Sequence, residues 1–278
     1  MRLLALAALA VSPHVTTATP VTALAVAADR VAYATADCRV HLWDLRARRV
    51  TTFRPGPACE RTSTGTGVSA ISVAGSRVLF LHYTGGNIRE WSLWTATPSS
   101  PTPRQIAFAT TDPEAAPPIV LGSGLAYAVG PTVTVLRPDG SRASRWSAPA
   151  VVSALAGAVV ATADGAVYRN GTRLATFAQA PSAIAVSRSG VVAQVGRTLE
   201  TAIRTFTLAR GTRLAGVDGD RAVVVGGGAV RTIDVATGAG ALVARGSLAA
   251  ASGGRVVTAT GRRVTVASSA RAARARTA

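Results

Sequence analysis

The stretch VAYATADCRVHLW, residues 31–43, is an apolar run, a polar break at Asp37-Cys38-Arg39, and a second run that mixes apolar and polar residues. Short β-rich runs without helical spacing, separated by turn residues, read as strand, tight turn, strand. Other segments line up with it: LAYAVGPTVTVL from Leu125, VATADGAVYRNG from Val160, AVVVGGGAVRTIDV from Ala222 and VVTATGRRVTVA from Val256. The tetrapeptide Ala-Thr-Ala-Asp occurs at 34–37 and again at 161–164. A small or turn residue opens each run, at Arg30, Arg77, Gly124, Gly157, Gly190, Arg221 and Arg255. The intervals are 47, 47, 33, 33, 31 and 34 residues. Near-regular spacing on this scale marks a chain built from repeated supersecondary units.

Each unit extends in both directions. A short apolar strand precedes the anchor, as at 23–28, 70–75, 153–157, 183–187 and 214–219. A further turn and strand usually follow, with strong turn chemistry at Pro138-Asp139-Gly140, Asn170-Gly171 and Thr237-Gly238. The outer strands are least clear in the fifth unit, at 182–211. A four-stranded sheet of this size cannot cover its own faces. Packing it against like neighbours in a ring buries both faces and leaves few exposed edges. The expected fold is therefore all-β: a seven-bladed β-propeller of four-stranded antiparallel blades, forming a single domain over 14–268. The last unit, 247–268, offers only three strands. HVTTATP at 14–20 resembles RVTTFRP at 49–55, the outer strand of the first unit. Residues 14–19 are thus predicted to complete the last blade, which disfavours cleavage of the chain after Ala18.

The pattern resembles the β-propeller superfamily, in its WD-repeat and YVTN-like branches. His41-Leu42-Trp43-Asp44-Leu45 looks like the Trp-Asp dipeptide that ends a third strand in WD repeats. Asp37 and Asp164 stand in the second-to-third-strand turn, where that family often places a structural Asp. The Gly-His pair of WD repeats is missing. The resemblance implies that first strands line a central channel. It also implies that second-to-third-strand turns and interblade loops share one face. Cys38 and Cys59 would then lie together on that face of the first blade, which favours a Cys38–Cys59 disulfide.

Composition bounds the function. With 48% hydrophobic residues among 278, the chain is not wholly disordered. Its longest apolar run, Leu3 to Val11, is nine residues, short of the roughly 18 that a membrane span needs. MRLLALAALAVSP resembles a minimal secretory signal, so residues 1–13 are read as a signal peptide or an apolar N-terminal segment. The expected location is secreted or cell-envelope, or cytoplasmic if that segment is no signal. With export, the even cysteine count itself suggests a disulfide. The net charge of +17 comes entirely from Arg, with no Lys. The arginines are spread along the chain, as a GC-rich coding sequence would also produce, and this disfavours a nucleic-acid partner. Residues 269–278 are read as a basic, flexible tail.

No CxxC pair and only three histidines disfavour a metal site, and no cofactor is expected. The first strands carry few charges, only Arg188 and Asp218, each near a turn. Asp37, Glu60, His82 and Glu90 can be drawn as a cluster, though the strands do not force them together. Gly226-Gly227-Gly228 reads as a hairpin turn and Asn170-Gly171-Thr172 as a turn that also fits a glycosylation sequon. The extra length near 54–67 and 95–117, rich in Pro, Ser, Thr and Gly, is read as two long loops. Trp43 and Trp91 are expected between blades. Trp94, His82, Tyr83 and Glu60 are candidates for a binding surface. The favoured function is a monomeric, non-enzymatic binding or scaffold module, contacting a protein or glycan through the loop face of blades 1–3. The alternatives are a propeller hydrolase or lyase at the channel mouth, and an Arg-driven binder of nucleic acid or an anionic envelope polymer.

Overall fold

The structure, a computed structural model, describes residues 12–53, 59 and 62–268. No helix occurs among them, and the strands form five four-stranded antiparallel sheets and one eight-stranded sheet. The four-stranded sheets span residues 21–53, 66–111, 119–147, 152–176 and 183–207, each a simple up-and-down meander. They are called the first to fifth sheets below. The second strand of a sheet begins at Arg30, Arg77, Gly190, Arg221 and Arg255, and Gly124 and Gly157 lie just before the second strands of the third and fourth sheets. The repeat frame therefore marks one hairpin edge per unit. Asn170 and Gly171, with φ of 49° and 85°, make the tight turn between Ala166–Arg169 and Thr172–Thr176. In the fifth sheet the two outer strands are three residues each, Thr198–Glu200 and Thr205–Thr207.

The eight-stranded sheet departs from the expected spacing. Its order is His14–Thr16, Arg263–Ser268, Arg255–Thr260, Leu248–Ser252, Arg213–Asp218, Arg221–Gly226, Ala229–Asp234 and Gly240–Arg245. One half, 213–245, is a four-strand meander; the other is a three-strand meander, 248–268, completed by His14–Thr16, and the two are joined through one parallel pair, Gly216 with Ala251. The cause is local. Gly216 has a φ of +137°, and a Cβ there would stand 2.8 Å from the Ala251 carbonyl oxygen. Only a residue without a side chain lets the two inner strands approach to pairing distance.

His14–Thr16 closes the ring. It pairs antiparallel with the last strand, His14 opposite Thr265, Val15 opposite Val264 and Thr16 opposite Arg263. Backbone hydrogen bonds from Val266 N to Pro13 O (2.9 Å) and Thr17 N to Arg262 O (2.8 Å) extend the pairing. Asp29, in the first hairpin turn of the first sheet, accepts ion pairs from Arg46 and from Arg255 of the last sheet. Asp220 has the same position in its sheet, and accepts from the Ser189 backbone N–H and hydroxyl of the preceding sheet, both at 3.1 Å. Arg77 makes the matching link between the second and third sheets, donating to Pro138 O at 2.9 Å and Asp139 O at 2.7 Å.

The core lies between sheets. Seven apolar clusters occur among the described residues, each bridging neighbouring four-strand meanders. The cluster at the closure joins Val31, Tyr33 and Trp43 to Val257, Val264 and Val266. Trp43 and Trp91 are buried, as expected of interblade aromatics. Each fully buried Val, such as Val31 or Val257, contributes about 1.5–3 kcal/mol.

One loop assignment is corrected. Residues 95–111 are not a loop: Arg89–Thr97 and Ser100–Thr111 pair as a long hairpin with two register shifts. Ser100–Thr111 is the outermost strand of its sheet, so Pro101 and Pro103 need no donor on the open side. Only 112–117 of that segment remains a connection. Of 54–67, residues 54–58 and 60–61 lie outside the described residues, and a strand begins at Thr66.

Candidate binding surface

The first strands enclose a channel of about 970 Å³ lined largely by Ala, Val, Leu, Ile, Gly and Ser. Arg188 and Asp218 are the charged residues in its lining. Strong inter-sheet approach demands small side chains here. At Gly122, a Cβ would meet Leu155 at 2.7 Å.

The face that carries the second-to-third-strand turns is more polar. In the first sheet the turn is organised by Asp37. Its Oδ1 accepts from the hydroxyls of Thr19 (2.8 Å) and Thr35 (2.6 Å), and its Oδ2 pairs with Arg39 Nε at 3.2 Å. Burial alone would raise the Asp37 pKa. The hydrogen bonds from Thr35 and Thr19 and the charge of Arg39 outweigh it, so the carboxyl lies below its ordinary value. The fourth sheet repeats the device, with Thr162 donating to Asp164 at 2.6 Å. There the next residue is Gly165, with φ +84°; in the first sheet Cys38 holds the corresponding position, with φ 58°. A non-glycine residue in that conformation is strained. Cys38 is bonded to Cys59 in a disulfide, Cα to Cα 5.5 Å, which ties the turn to the connection entering the second sheet.

His41 stacks on Tyr33, with ring centroids 4.7 Å apart, and its Nδ1 lies 3.0 Å from the Thr52 hydroxyl. Burial pushes its pKa down to about 4, against the pull of Asp37, and pushes the Tyr33 phenol up to about 12. His82 is fully buried in the second sheet and desolvation pushes it down to about 4. A histidine held neutral when folded, but with an ordinary pKa of about 6.5 when unfolded, favours unfolding in acid. Stability is expected to be flat above about pH 6.5 and to fall as the pH drops from there towards 4. Between pH 7.5 and 5, His82 should cost about 2 kcal/mol and half-buried His41 less. Thermal unfolding at the two pH values checks this, and His82→Gln should flatten the dependence.

In the second sheet the Arg89 guanidinium lies 5.4 Å from the Tyr83 ring centroid and 5.9 Å from that of Trp91, and donates to Thr64 O at 3.1 Å. Tyr83 and Trp91 contact each other at 5.6 Å, and Trp91 Nε1 donates to the Thr111 hydroxyl at 2.9 Å. Beside this locked cluster, Ile88 at the tip of the turn is 58% exposed. Ile88 was not among the residues expected at the surface site. Its signal was a large apolar residue in a polar turn, Gly85-Gly86-Asn87-Ile88.

The four surface candidates fall differently. Tyr83 is half-buried within the Arg89 cluster. Trp94 is half-buried against the interface of the first and second sheets, and its Nε1 donates to the Ser92 hydroxyl at 2.8 Å. His82 does not reach the surface: it is fully buried. Glu60 lies outside the described residues. Among the described residues, no three His, Cys, Asp or Glu side chains gather as metal ligands; of the drawn cluster, His82 is fully buried while Glu90 is exposed.

No protein-family model matches the sequence, and no curated protein matches it. Solved structures do resemble it. A chain in the crystal structure of the Mitotic Checkpoint Complex matches with a TM-score of 0.58 at 12% identity, over 92% of this chain and 90% of that one. Saccharomyces cerevisiae Sqt1 matches with a TM-score of 0.53 at 12% identity, over 92% and 98%. At such identity the likeness is one of fold. Four-stranded antiparallel meanders packed face to face around a channel, closed by pairing of the N-terminal strand with the last one, give this chain a β-propeller fold, which those solved structures resemble.

Proposed function

We propose that this chain is an exported, non-enzymatic, seven-bladed scaffold that holds a protein partner on the face of its second-to-third-strand turns, within blades 1–3. Counting each half of the eight-stranded sheet as a blade gives seven, in agreement with seven inter-sheet clusters. The observation that carries the binding surface is Ile88, an exposed apolar tip on a turn whose base is immobilised by the Arg89, Tyr83 and Trp91 stack. A rigid aromatic base beside an exposed apolar anchor suits a partner's hot spot, because little order is lost on binding. The Cys38–Cys59 bond supports an oxidising compartment. The channel lining of small side chains, with one Arg and one Asp, offers no paired acids for hydrolysis.

Proximity labelling followed by binding of the identified partner tests the reading. Ile88→Asp should weaken that binding by at least about tenfold without changing the melting temperature. Ile203→Asp, at an exposed third-to-fourth-strand turn on the opposite rim, should leave it unchanged. Equal binding by Ile88→Asp and the parent chain would refute this surface.

A further inference from the structure

A second surface lies on the side of the ring, independent of the Ile88 turn. Between the second and third sheets runs a groove of about 640 Å³. The outermost strand Ser100–Thr111 forms one wall, contributing Arg104 and Phe108. Tyr127 and Thr134 lie in the lining from the third sheet, and Arg142 and Arg145 come from its outermost strand, Arg142–Ser147. Among the described residues, no Asp or Glu lines the groove.

What sets these three arginines apart from other exposed arginines, such as Arg169 and Arg231, is that they gather in one groove. Arg30, Arg39, Arg46 and Arg255 all pair with Asp, and Arg77 is spent on the Pro138 and Asp139 carbonyls. Among the described residues, the side chains of Arg104, Arg142 and Arg145 make neither an ion pair nor a hydrogen bond. All three are exposed, and they converge on one groove from two different sheets. Like charges gathered without a counter-charge repel, and carboxylates entering between them relieve that repulsion. The planar guanidinium fork matches a carboxylate in two hydrogen bonds. Phe108, 51% exposed, and half-buried Tyr127 give the same groove an apolar contact.

We propose that this groove binds an extended acidic peptide segment of a protein partner, with carboxylates on Arg104, Arg142 and Arg145 and an apolar side chain on Phe108 and Tyr127. The groove runs beside two outermost strands, whose open edges suit an extended chain. A single-stranded nucleic acid would be held by a run of exposed stacking aromatics, and here Phe108 stands alone as an exposed ring. The segment RAARARTA at 271–278 carries three arginines and no acid, so its charge does not complement the groove.

Fluorescence anisotropy on the full chain tests the proposal. The probe is a short labelled peptide of alternating Glu and Leu, with its Gln–Leu twin and a thymidine oligonucleotide as comparisons. The Glu peptide should bind, more weakly as salt rises, and the Gln twin should bind at least about tenfold more weakly. Arg104→Ser/Arg145→Ser should lose about tenfold or more, and Phe108→Ser should weaken binding with the charge intact. Arg169→Ser/Arg231→Ser removes the same charge from exposed positions on other sheets and should change binding little. Equal binding of the Gln twin, equal loss in the two double variants, or tighter binding of the oligonucleotide would each overturn the proposal. None of these outcomes depends on Ile88.

Discussion

Removing residues 1–17 is expected to lower the melting temperature by about 10–20 °C, while the remaining sheets still fold. The deletion takes away His14–Thr16 and leaves Arg263–Ser268 as a bare edge. It breaks the pairing of three residues with the last strand and the flanking bonds at Pro13 and Thr17. It also uncovers one side of the cluster in which Val15 packs beside Val264 and Val266. Several backbone hydrogen bonds at about 1 kcal/mol each, plus the apolar area, amount to about 3–6 kcal/mol. The Asp29–Arg255 ion pair and the packing of Val31 on Val257 survive, so the loss is large but short of complete unfolding. Urea unfolding with an unchanged midpoint would contradict the closure.

Gly216→Val is the second large effect, at about 2–5 kcal/mol. Two penalties add. The φ of +137° is hostile to a β-branched side chain, and the new Cβ would press on the Ala251 carbonyl at 2.8 Å and its backbone N at 3.3 Å. Neither atom is the end of a flexible side chain, so one inner strand must shift. Gly157→Ala separates the two terms. Its φ of +58° imposes strain, but a Cβ there meets nothing within 4 Å. It should cost about 1 kcal/mol, several times less than Gly216→Val. Similar melting temperatures for the two variants would show that contact between the inner strands is not what makes Gly216 special.

The parts of the fold that local chemistry specifies were readable from the sequence. Hairpin turns declare themselves through pairs such as Asn170-Gly171, and second strands through runs such as Val31–Thr35. These recur at Arg30, Arg77 and their counterparts because each unit has the same job. The return of 14–19 to the last blade was readable because HVTT repeats RVTT and the last unit lacks a strand, although the strand itself covers only His14–Thr16. Pro101 and Pro103 misled, since proline marks a loop except on an outermost strand with an open side, and openness is a property of the whole ring. His82 misled because its burial is set by what packs over it in the assembled ring, which no local residue declares. The Arg104, Arg142 and Arg145 groove was invisible because its members lie on different sheets, and an even spread of arginines along the chain says nothing of their convergence in space.

The N-terminal strand closes the ring, and an engineered cross-link reads that closure directly. Thr16 and Arg263 face each other across the last pairing and are both exposed. With Cys38 and Cys59 already joined, Thr16→Cys/Arg263→Cys should oxidise to a second disulfide, seen by peptide mass and by the absence of free thiols. A folded double variant that keeps two free thiols under the same oxidising conditions would contradict the closed ring.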